Sequence, residues 1–517
     1  MTIIRKHYAL ILLSAILFLA AYLYLHDLGT IPPGFNQDEA VNGYDAYALG
    51  HTLRDHHGIF LPRIFRSFND TASVALTYIT IPFVLIGVLS EWAVRLPVAL
   101  AGIMGVLLAY LFLKEVSKKE TVGLIGAFLL ATSPWYITLS RFALPSNIVP
   151  FFVLLFLWLF AKSIHAQKKS LMFLFFSSTT AGLLTYAHQS TEFFTPLFIF
   201  FLSLVYFYKK RQKLFLFLGV YILSVLPLFY VILRYPADNL SRFMSEKLTS
   251  SGLSFLRDVA MRYFDYYSPS FYFGRGDTNI MHHVVGIGSL YGFLSFFLVA
   301  AIVLWCVRKK RKITYSSRAV KLICAILLYA VLAPFSASLT TARFHLLRTI
   351  ELFPVITMLI ALSVYYVISK ISLAWLRNVA LIVFIVITLI NLAQFEYIYT
   401  KTYPGLMRAN FQYGVKEAMQ FIAANEKQYK EIFIDSGIFQ GYIYYLFYSS
   451  YKPEKLNYEE INGQLTTGVY TLDNIRFVPI TVAMVENAKQ IKSIEEYGKI
   501  WFLIYETKDT LLIKKVI

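Results

Sequence analysis

The sequence predicts an α-helical, polytopic membrane protein that ends in a small α/β domain. The first observation is composition: 57% of the 517 residues are hydrophobic and 15% are charged. Soluble domains carry about 25% charged residues, so an ordinary soluble protein is excluded. The second is a series of apolar runs, many close to the roughly 18 residues that indicate a membrane span. The third is the return of mixed charge in residues 396–517, which hold 14 basic and 14 acidic side chains.

Eleven apolar runs are predicted to cross the membrane. The first follows Arg5-Lys6 and extends from Tyr8 to about His26. No clear small-residue cleavage site follows it, so we expect a retained anchor. A further run at 74–91 is ambiguous. The other predicted spans lie near 96–113, 121–138, 147–161, 171–187, 193–208, 214–233, 286–307, 319–335, 349–369 and 375–395.

The distribution of charge sets the predicted orientation. If the run at 74–91 crossed, the basic clusters 209–213 and 308–312 would face outward, against the positive-inside rule. If it lies along the outer interface or re-enters, the inner side of residues 1–395 holds 21 basic and 2 acidic residues, and the outer side 13 and 14. We therefore expect a multi-pass protein of the cell membrane, with a cytoplasmic N-terminus and an extracytoplasmic domain at 396–517.

The first outer loop, residues 27–95, carries an acidic pair directly after a Pro-Pro-Gly turn. The pair is Asp38-Glu39, and the stretch that follows has helical periodicity. One interpretation is structural, because Asp38 or Asn36 could cap that helix. The other is functional, because acidic side chains close to the hydrocarbon boundary are costly and suggest a site. Both interpretations stay open on the sequence alone.

The second large outer loop, residues 234–285, interleaves aromatic with polar side chains. Such a surface suits a sugar, because rings stack on its C–H faces and carboxylates or amides bind its hydroxyls. An aromatic belt at the lipid headgroups is the alternative. His282-His283 could bind a metal, but no third ligand stands at a useful spacing, so no metal and no other cofactor is predicted. The candidate substrate-binding residues of this loop are Asp265, Tyr266, Asp277 and Asn279.

Short outer turns add further polar candidates. Substrate contacts are expected from His188, Gln189 and His345. Glu351 lies one helical turn beyond Arg348 and could simply pair with it. Twelve of the 13 outer cations are Arg, whose planar fork suits phosphate, although any single one also fits among lipid headgroups. The candidate phosphate-binding residues are Arg141, Arg275, Arg343 and Arg348.

Residues 396–517 alternate helical and strand patterns, which predicts a small α/β module. We expect helices at Tyr413–Asn425 and Gly441–Tyr451, and strands at Glu431–Asp435, Ile500–Tyr505 and Thr510–Val516. The module contains no recognisable nucleophile or nucleotide motif. Its expected role is acceptor recognition or support of the outer loops.

The order of several short motifs resembles the GT-C class of membrane glycosyltransferases. The group it resembles is the protein O-mannosyltransferase and aminoarabinose transferase superfamily, in its bacterial or archaeal form. The likeness covers most of residues 1–350. Its motifs are Pro32-Pro33-Gly34 with Asp38-Glu39, Glu91 to Pro97, Ser140-Arg141, and Ser268-Pro269-Ser270-Phe271.

The resemblance implies transfer of a sugar from a polyprenyl-phosphate donor at the outer face of the bilayer. By this likeness Asp38 is the catalytic base, and Glu39 supports the acceptor or the donor. Direct attack by an acceptor hydroxyl would invert the anomeric centre. No inserted β-trefoil-type domain is evident, so the acceptor could be a glycan, a lipid or a protein, and hexosyl and pentosyl transfer both stay open.

Other functions remain as alternatives. A transporter or flippase for a lipid-linked glycan would share the many spans and the Arg-rich outer side. A silent scaffold of an envelope assembly would use the C-terminal module for binding. Nucleic-acid binding, which the net charge of +18 would otherwise suggest, is not expected because the basic runs are short and separated by apolar segments.

Overall fold

A computed structural model describes residues 2–67, 70–166, 168–207, 209–236, 243–308, 317–438, 440–464, 470–496 and 499–516. The basic residues 309–312, which weighed in the predicted orientation, lie outside this set. The chain divides into two compact units. The first, here the membrane unit, comprises Met1–His26, Val98–Arg141 and Pro145–Thr400; the second, here the mixed unit, comprises Asp27–Pro97, Phe142–Leu144 and Lys401–Ile517.

The predicted helical membrane protein is confirmed by helices that run through most of the first 400 residues. Seven of the described helices are long and apolar enough to cross a membrane: His7–Leu25, Glu91–Ser117, Pro145–His165, Gln189–Phe207, Arg211–Arg234, Leu352–Ser369 and Ala374–Lys401.

Four other predicted spans contain shorter apolar helices, at Glu120–Thr132, Ser170–Thr185, Leu294–Val307 and Cys324–Ser338. One of them shows the reason for its shortness. The helix from Glu120 stops before Ser133-Pro134, and a new helix starts at Pro134. Proline lacks the backbone N–H and disfavours helical geometry in the residue before it, so it divides one apolar run into two helices.

The helices of this part are numbered in chain order. They are α1 (Thr2–Leu25), α2 (Gln37–Thr52), α3 (Ala75–Ile86), α4 (Glu91–Ser117), α5 (Glu120–Thr132), α6 (Pro134–Leu139), α7 (Val149–His165), α8 (Ser170–Thr185), α9 (Gln189–Phe207), α10 (Arg211–Arg234), α11 (Gly252–Asp265), α12 (Pro269–Phe273), α13 (Leu294–Arg308), α14 (Ser317–Leu332), α15 (Pro334–Ser338), α16 (Leu352–Ser369) and α17 (Ala374–Lys401).

The ambiguous run at 74–91 contains the short helix α3. Its 12 residues rise about 18 Å, well under the roughly 30 Å of a hydrocarbon core. It packs on α2 within the mixed unit, where Thr77 Oγ1 donates to Asn42 Oδ1 at 2.7 Å. Such a helix suits the predicted interfacial position better than a full crossing.

The C-terminal part of the mixed unit is an α/β module around a six-stranded sheet of order β4-β5-β3-β8-β7-β6. Strand β3 is parallel to β5 and β8, and the other pairs are antiparallel. The elements are α18 (Tyr403–Met407), α19 (Val415–Asn425), β3 (Glu431–Asp435), α20 (Gly441–Tyr448), α21 (Tyr458–Gln464), β4 (Tyr470–Leu472), β5 (Ile475–Val478), α22 (Val482–Val485), β6 (Lys489–Glu496), β7 (Lys499–Glu506) and β8 (Thr510–Lys515), with a hairpin of β1 (Phe65–Ser67) and β2 (Asp70–Ala72) in the first loop.

The predicted helices and strands of the module are confirmed by the structure. In β3, Ile432 and Ile434 are buried while the flanking residues are half-buried, as period-2 alternation requires. In α19, Val415, Met419 and Ile422 are buried on one face. Strands β4, β5 and β6 were not predicted, because β4 and β5 are only three and four residues long and β6 has four charged side chains among its eight residues.

Candidate functional site

The acidic pair of the first loop begins helix α2. Asn36 is the N-cap: its side-chain oxygen accepts from Asp38 N at 2.9 Å, and its own N–H donates to Glu39 Oε2 at 3.2 Å. This reciprocal arrangement is a capping box, which satisfies two of the backbone donors that a helix start leaves open. Of the two residues named as possible caps, Asn36 is the N-cap and Asp38 is not, and Asp38 is exposed in the first turn of the helix.

Glu39 is fully buried and forms a two-point ion pair with Arg95. Arg95 Nε lies 2.9 Å from Glu39 Oε1, and Nη2 lies 3.0 Å from Oε2. Oε1 also accepts from Ala143 N at 2.8 Å. Four donors around one carboxylate offset the cost of burying its charge. Glu39 thus faces protein on all sides and has the surroundings of a positioning residue.

Arg95 also fixes the turn that precedes the acidic pair. Its Nη1 donates to Leu28 O at 3.1 Å and Pro32 O at 3.0 Å, and Nη2 donates to Gly34 O at 2.8 Å. These bonds use carbonyls that the irregular turn would otherwise leave unpaired. Gly34 has φ +76°, and a Cβ there would lie 2.3 Å from Phe411 O, so glycine is required on both counts. The backbone before Asp38 is therefore rigidly held.

The C-terminal module packs against this same backbone. Tyr444 Oη donates to Phe35 O at 2.9 Å, and Phe35 N donates to Phe411 O at 2.6 Å. Lys416 Nζ pairs with Glu91 Oε1 at 3.0 Å, and Glu91 lies about one helical turn before Arg95 on α4. These contacts join the module to the first loop, and its two expected roles, acceptor recognition and support of the outer loops, stay predictions.

A second buried polar cluster lies deeper in the mixed unit. His56 Nδ1 lies 2.6 Å from Asp45 Oδ1, and the backbone N of His56 donates to the same oxygen at 2.9 Å. Asp55 Oδ1 accepts from His57 N and Ile59 N. Burial raises the pKa of Asp45 and of Asp55 to about 7 and lowers the pKa of His56 to about 4. Sequence analysis did not identify this cluster, because Asp45 lies on α2 and stands 11 residues before His56, with no spacing rule to connect them.

Within the membrane unit, the second outer loop and the turn before α16 share another polar cluster. Asp277 Oδ2 lies 2.8 Å from His282 Nδ1 and accepts from Leu346 N at 2.7 Å. The rings of His282 and His345 stand 5.1 Å apart. Burial alone would raise the pKa of Asp277, but His282 and the backbone donors hold it below its ordinary value. Two sequence candidates, Asp277 and His345, are thus brought together, and His282 joins them.

The four arginines proposed to bind phosphate have different surroundings. Arg141 is buried and donates to Leu23 O and His26 O at the end of α1, so it serves as a cap for that helix. Arg343 makes a two-point pair with Asp265, at 2.6 Å and 2.8 Å. Arg348 pairs with Glu246 at 2.7 Å. Arg275 is exposed, and its guanidinium has no hydrogen bond or ion pair to any residue in the described ranges.

The expected pairing of Glu351 with Arg348 is wrong. Glu351 Oε2 accepts from Ser190 Oγ at 3.2 Å instead, because the segment Leu346–Thr349 is a 3₁₀ helix and not an α-helical turn. The tighter geometry and the start of α16 only at Leu352 separate the two side chains. The helical i,i+3 rule therefore did not apply here.

The remaining candidates have structural partners. His188 Nδ1 lies 2.9 Å from Ser190 Oγ, and Gln189 is half-buried beside it at the start of α9. Asn279 Oδ1 accepts from Met281 N at 3.0 Å within the loop. Tyr266 is fully buried, so its ring does not offer an open stacking face.

Sequence reasoning missed Arg95 as part of the site. The signal was present, because Arg95 is the one cation inside the run Glu91 to Pro97 that starts a long apolar helix. An arginine in that position requires a partner. Glu39, the acidic residue already singled out, is that partner.

Comparison with known proteins gives the chain a family context. Residues 70–234 match the family described as dolichyl-phosphate-mannose-protein mannosyltransferase, a range that begins after Asp38. The "Putative mannosyltransferase YkcB" of Bacillus subtilis (strain 168) is 30% identical over 165 residues, which are 31% of this chain and 21% of that protein. The match thus spans about a fifth of the length of that curated relative.

Two solved structures have a similar fold. ArnT from Cupriavidus metallidurans in the apo state has a TM-score of 0.53 and 13% identity, over 86% of this chain and 85% of that chain. The structure of the same protein bound to undecaprenyl phosphate also has a TM-score of 0.53 and 13% identity, over 89% of this chain and 87% of that chain. The predicted resemblance and the GT-C fold are therefore confirmed.

Proposed function

We propose that this chain is a membrane glycosyltransferase that moves a sugar from a polyprenyl-phosphate donor to an acceptor hydroxyl. The observation that carries the proposal is the exposed carboxylate of Asp38 beside the buried Glu39–Arg95 pair. The fold shared with ArnT, which has been solved with undecaprenyl phosphate, and the mannosyltransferase match support the donor class. We place the reaction on the extracytoplasmic face, on the strength of the charge asymmetry of the loops.

In the proposed reaction Asp38 is the general base. The acceptor oxygen forms a bond to the anomeric carbon while the bond from that carbon to the phosphate oxygen breaks, with inversion. The acceptor proton passes to the Asp38 carboxylate, and the polyprenyl phosphate leaves with the bonding electron pair. General-base catalysis of this kind contributes about 10²–10⁴-fold to a rate.

Glu39 has a positioning role in this scheme. Both of its oxygens are occupied by Arg95, Asn36 N and Ala143 N, so it fixes the first turn of α2 and with it the direction of Asp38. A base held by a rigid supporting group keeps the geometry that proton transfer needs. The sequence-based expectation that Glu39 contacts the acceptor or donor is replaced by this role in the proposal.

The donor phosphate requires a cation that is free to bind it. Arg275 fits best among the four candidates, because Arg141, Arg343 and Arg348 already donate to carbonyls or carboxylates of the membrane unit. Its side chain is exposed, and it precedes Gly276, which has a φ of +71°. An arginine there would stabilise the charge that develops on the leaving phosphate.

The direct test is mass spectrometry of envelope glycans, glycolipids and glycoproteins from a strain that lacks this protein. The proposal predicts the loss of one sugar from one class of acceptor. The wild-type chain should restore it, Asp38→Asn should not, and Asp509→Asn, which changes an exposed carboxylate of the β7–β8 turn, should restore it fully. An unchanged set of glycans in the deletion strain would contradict the proposal and favour a scaffold.

A further inference from the structure

We propose that a polar groove in the C-terminal module binds an acidic glycan, a sugar chain with carboxylate or phosphate groups, and so selects a glycan as the acceptor. The groove lies within the mixed unit and has a volume of about 510 Å³. Its lining includes Tyr429, Asn487, Lys489, Glu506, Thr507 and Lys508. Binding of the glycan is independent of the assignment of Asp38, whereas its role as the acceptor rests on the proposed function.

The sheet of the module holds the walls of the groove in place. Lys489, at the start of β6, stands opposite Glu506, at the end of β7, in an antiparallel ladder. After β7 the chain turns at Thr507, whose backbone N donates to Thr510 O at 2.9 Å and whose Oγ1 accepts from Thr510 N at 3.1 Å. Because these bonds form the groove before a ligand arrives, binding requires little further ordering of the protein.

Tyr429 is fixed at the wall that precedes β3. Its Oη donates to Glu506 Oε2 at 3.0 Å, and its backbone carbonyl accepts from Asn474 Nδ2 at 3.0 Å. The tyrosine is half-buried, so part of its ring packs on protein and part faces the groove. A sugar has an apolar C–H face and a hydroxyl edge, which suit an exposed part of a ring and the Oε1 of Glu506 respectively.

The side chains of the lining distinguish a sugar from other classes of ligand. All seven lining side chains carry a polar group, which disfavours an acyl chain or an apolar peptide. The amide of Asn487 and the hydroxyl of Thr507 can each donate and accept, as sugar hydroxyls do. The volume lies within the roughly 300–1,000 Å³ that is typical of sites for small ligands.

Two lysines determine which charge the groove prefers. Lys489 and Lys508 are exposed, and neither ammonium has a hydrogen bond or ion pair to a residue in the described ranges. The lining holds these two cations and one carboxylate, so its net charge is +1. A metal cation is therefore disfavoured, and a sugar with a carboxylate or phosphate group gains charge-assisted hydrogen bonds.

The experiment measures binding of oligosaccharides by the full-length protein in lipid nanodiscs, with the signal of empty nanodiscs subtracted. The probes are the acidic and the neutral oligosaccharide fractions cut from the envelope of the cells that make this protein and separated by anion exchange. At physiological salt the wild type should bind the acidic fraction, and the neutral fraction at least about tenfold more weakly. Asp38→Asn should bind both as the wild type does.

Two lysine variants and a matched control locate the binding to the groove. Lys489→Ala and Lys508→Ala should each weaken binding of the acidic fraction by about tenfold, as expected for loss of a hydrogen bond between charged groups. Lys499→Ala is the control and should bind as the wild type does, because this exposed lysine stands opposite Glu496 at the other end of the β6–β7 hairpin. Exposed lysines such as these three are replaced at little cost in stability.

The possible outcomes separate the groove from the transfer reaction. The groove is overturned if the wild type binds no acidic oligosaccharide, or if Lys499→Ala weakens binding as much as the other two variants do, because attraction by net charge alone would then suffice. Binding with unchanged glycans in the deletion strain would uphold the groove and contradict the proposed function. A sugar lost only from proteins or lipids would contradict the role of the glycan as the acceptor.

Discussion

The guanidinium of Arg95 and the carboxylate of Glu39 form a two-point ion pair in which both side chains are wholly buried. One partner lies in the first turn of α2 and the other in the first turns of α4, 56 residues apart. Through Arg95 the pair also holds the carbonyls of Leu28, Pro32 and Gly34. The pair therefore holds in place the backbone that carries the exposed Asp38.

Breaking this pair from one side should destabilise the mixed unit strongly. Arg95→Met leaves the Glu39 charge buried without its partner, a change that typically costs about 3–5 kcal/mol. The double variant Glu39→Gln with Arg95→Met removes both charges and should recover part of that loss. Thermal unfolding in detergent measures both. Lys430→Met, which breaks the exposed pair with Asp509, serves as the control and should change the midpoint little.

The buried carboxyl of Asp55 should make stability depend on pH. Its pKa is raised from 3.8 to about 7 in the folded chain, so the folded state holds the proton more tightly than the unfolded state. The stabilising contribution is complete below about pH 4 and is lost as the pH rises to about 7. The pKa values of nearby Asp45 and His56 shift in opposite directions, so their contributions to the pH dependence of stability oppose each other.

Asp55→Asn tests this dependence because an amide oxygen can still accept from His57 N and Ile59 N. At pH 8 the variant should unfold at a higher temperature than the wild type. Its free energy of unfolding should be larger by the order of a few kcal/mol, since each pKa unit is worth about 1.4 kcal/mol. At pH 4 the two should unfold alike. Equal midpoints at pH 8 would mean that the Asp55 carboxylate is solvated in the folded protein.

The donor phosphate is expected to bind at Arg275. Arg275→Ala should raise the KM for the lipid-linked donor by about 10–100-fold, the range expected for loss of a charge-assisted hydrogen bond, without a matching change in the acceptor KM. Steady-state kinetics with each substrate varied separately measures the split. Arg257→Ala, an exposed arginine of α11, is the matched control. An unchanged donor KM would exclude Arg275 from the phosphate site.

The predicted orientation can be read by thiol labelling in intact cells. In a background with Cys306 and Cys324 replaced by Ser, Lys508→Cys in the C-terminal module should react with a membrane-impermeant maleimide. Lys118→Cys, in the loop predicted to face the cytoplasm, should react only after the cells are permeabilised. The reverse pattern would invert the topology and remove Asp38 from the outer face.

Much of the fold followed from patterns that depend on local chemistry. Apolar runs predicted the long helices, and alternation in Glu431–Asp435 predicted a central strand. What could not be predicted depends on contacts distant in sequence. The pairing of Arg95 with Glu39, and of Arg348 with Glu246 in place of Glu351, is set by how loops meet.

The candidate site divides along the same line. Asp38 and Asn36 could be recognised because a capping pattern after a Pro-Pro-Gly turn is local. The group of Asp277, His282 and His345 could not, because His345 stands 68 residues from Asp277 and no spacing rule connects them. The difference in burial between the adjacent residues Asp38 and Glu39 likewise could not be predicted: Glu39 is buried and Asp38 is exposed.

The most direct test of the proposed reaction is the rate of polyprenyl-phosphate release by purified Asp38→Asn in nanodiscs, using the donor whose sugar the deletion strain loses. The account predicts a fall of about 10²–10⁴-fold relative to the wild type, with donor binding retained and Asp509→Asn fully active. A release rate for Asp38→Asn within a few-fold of the wild-type rate would contradict it.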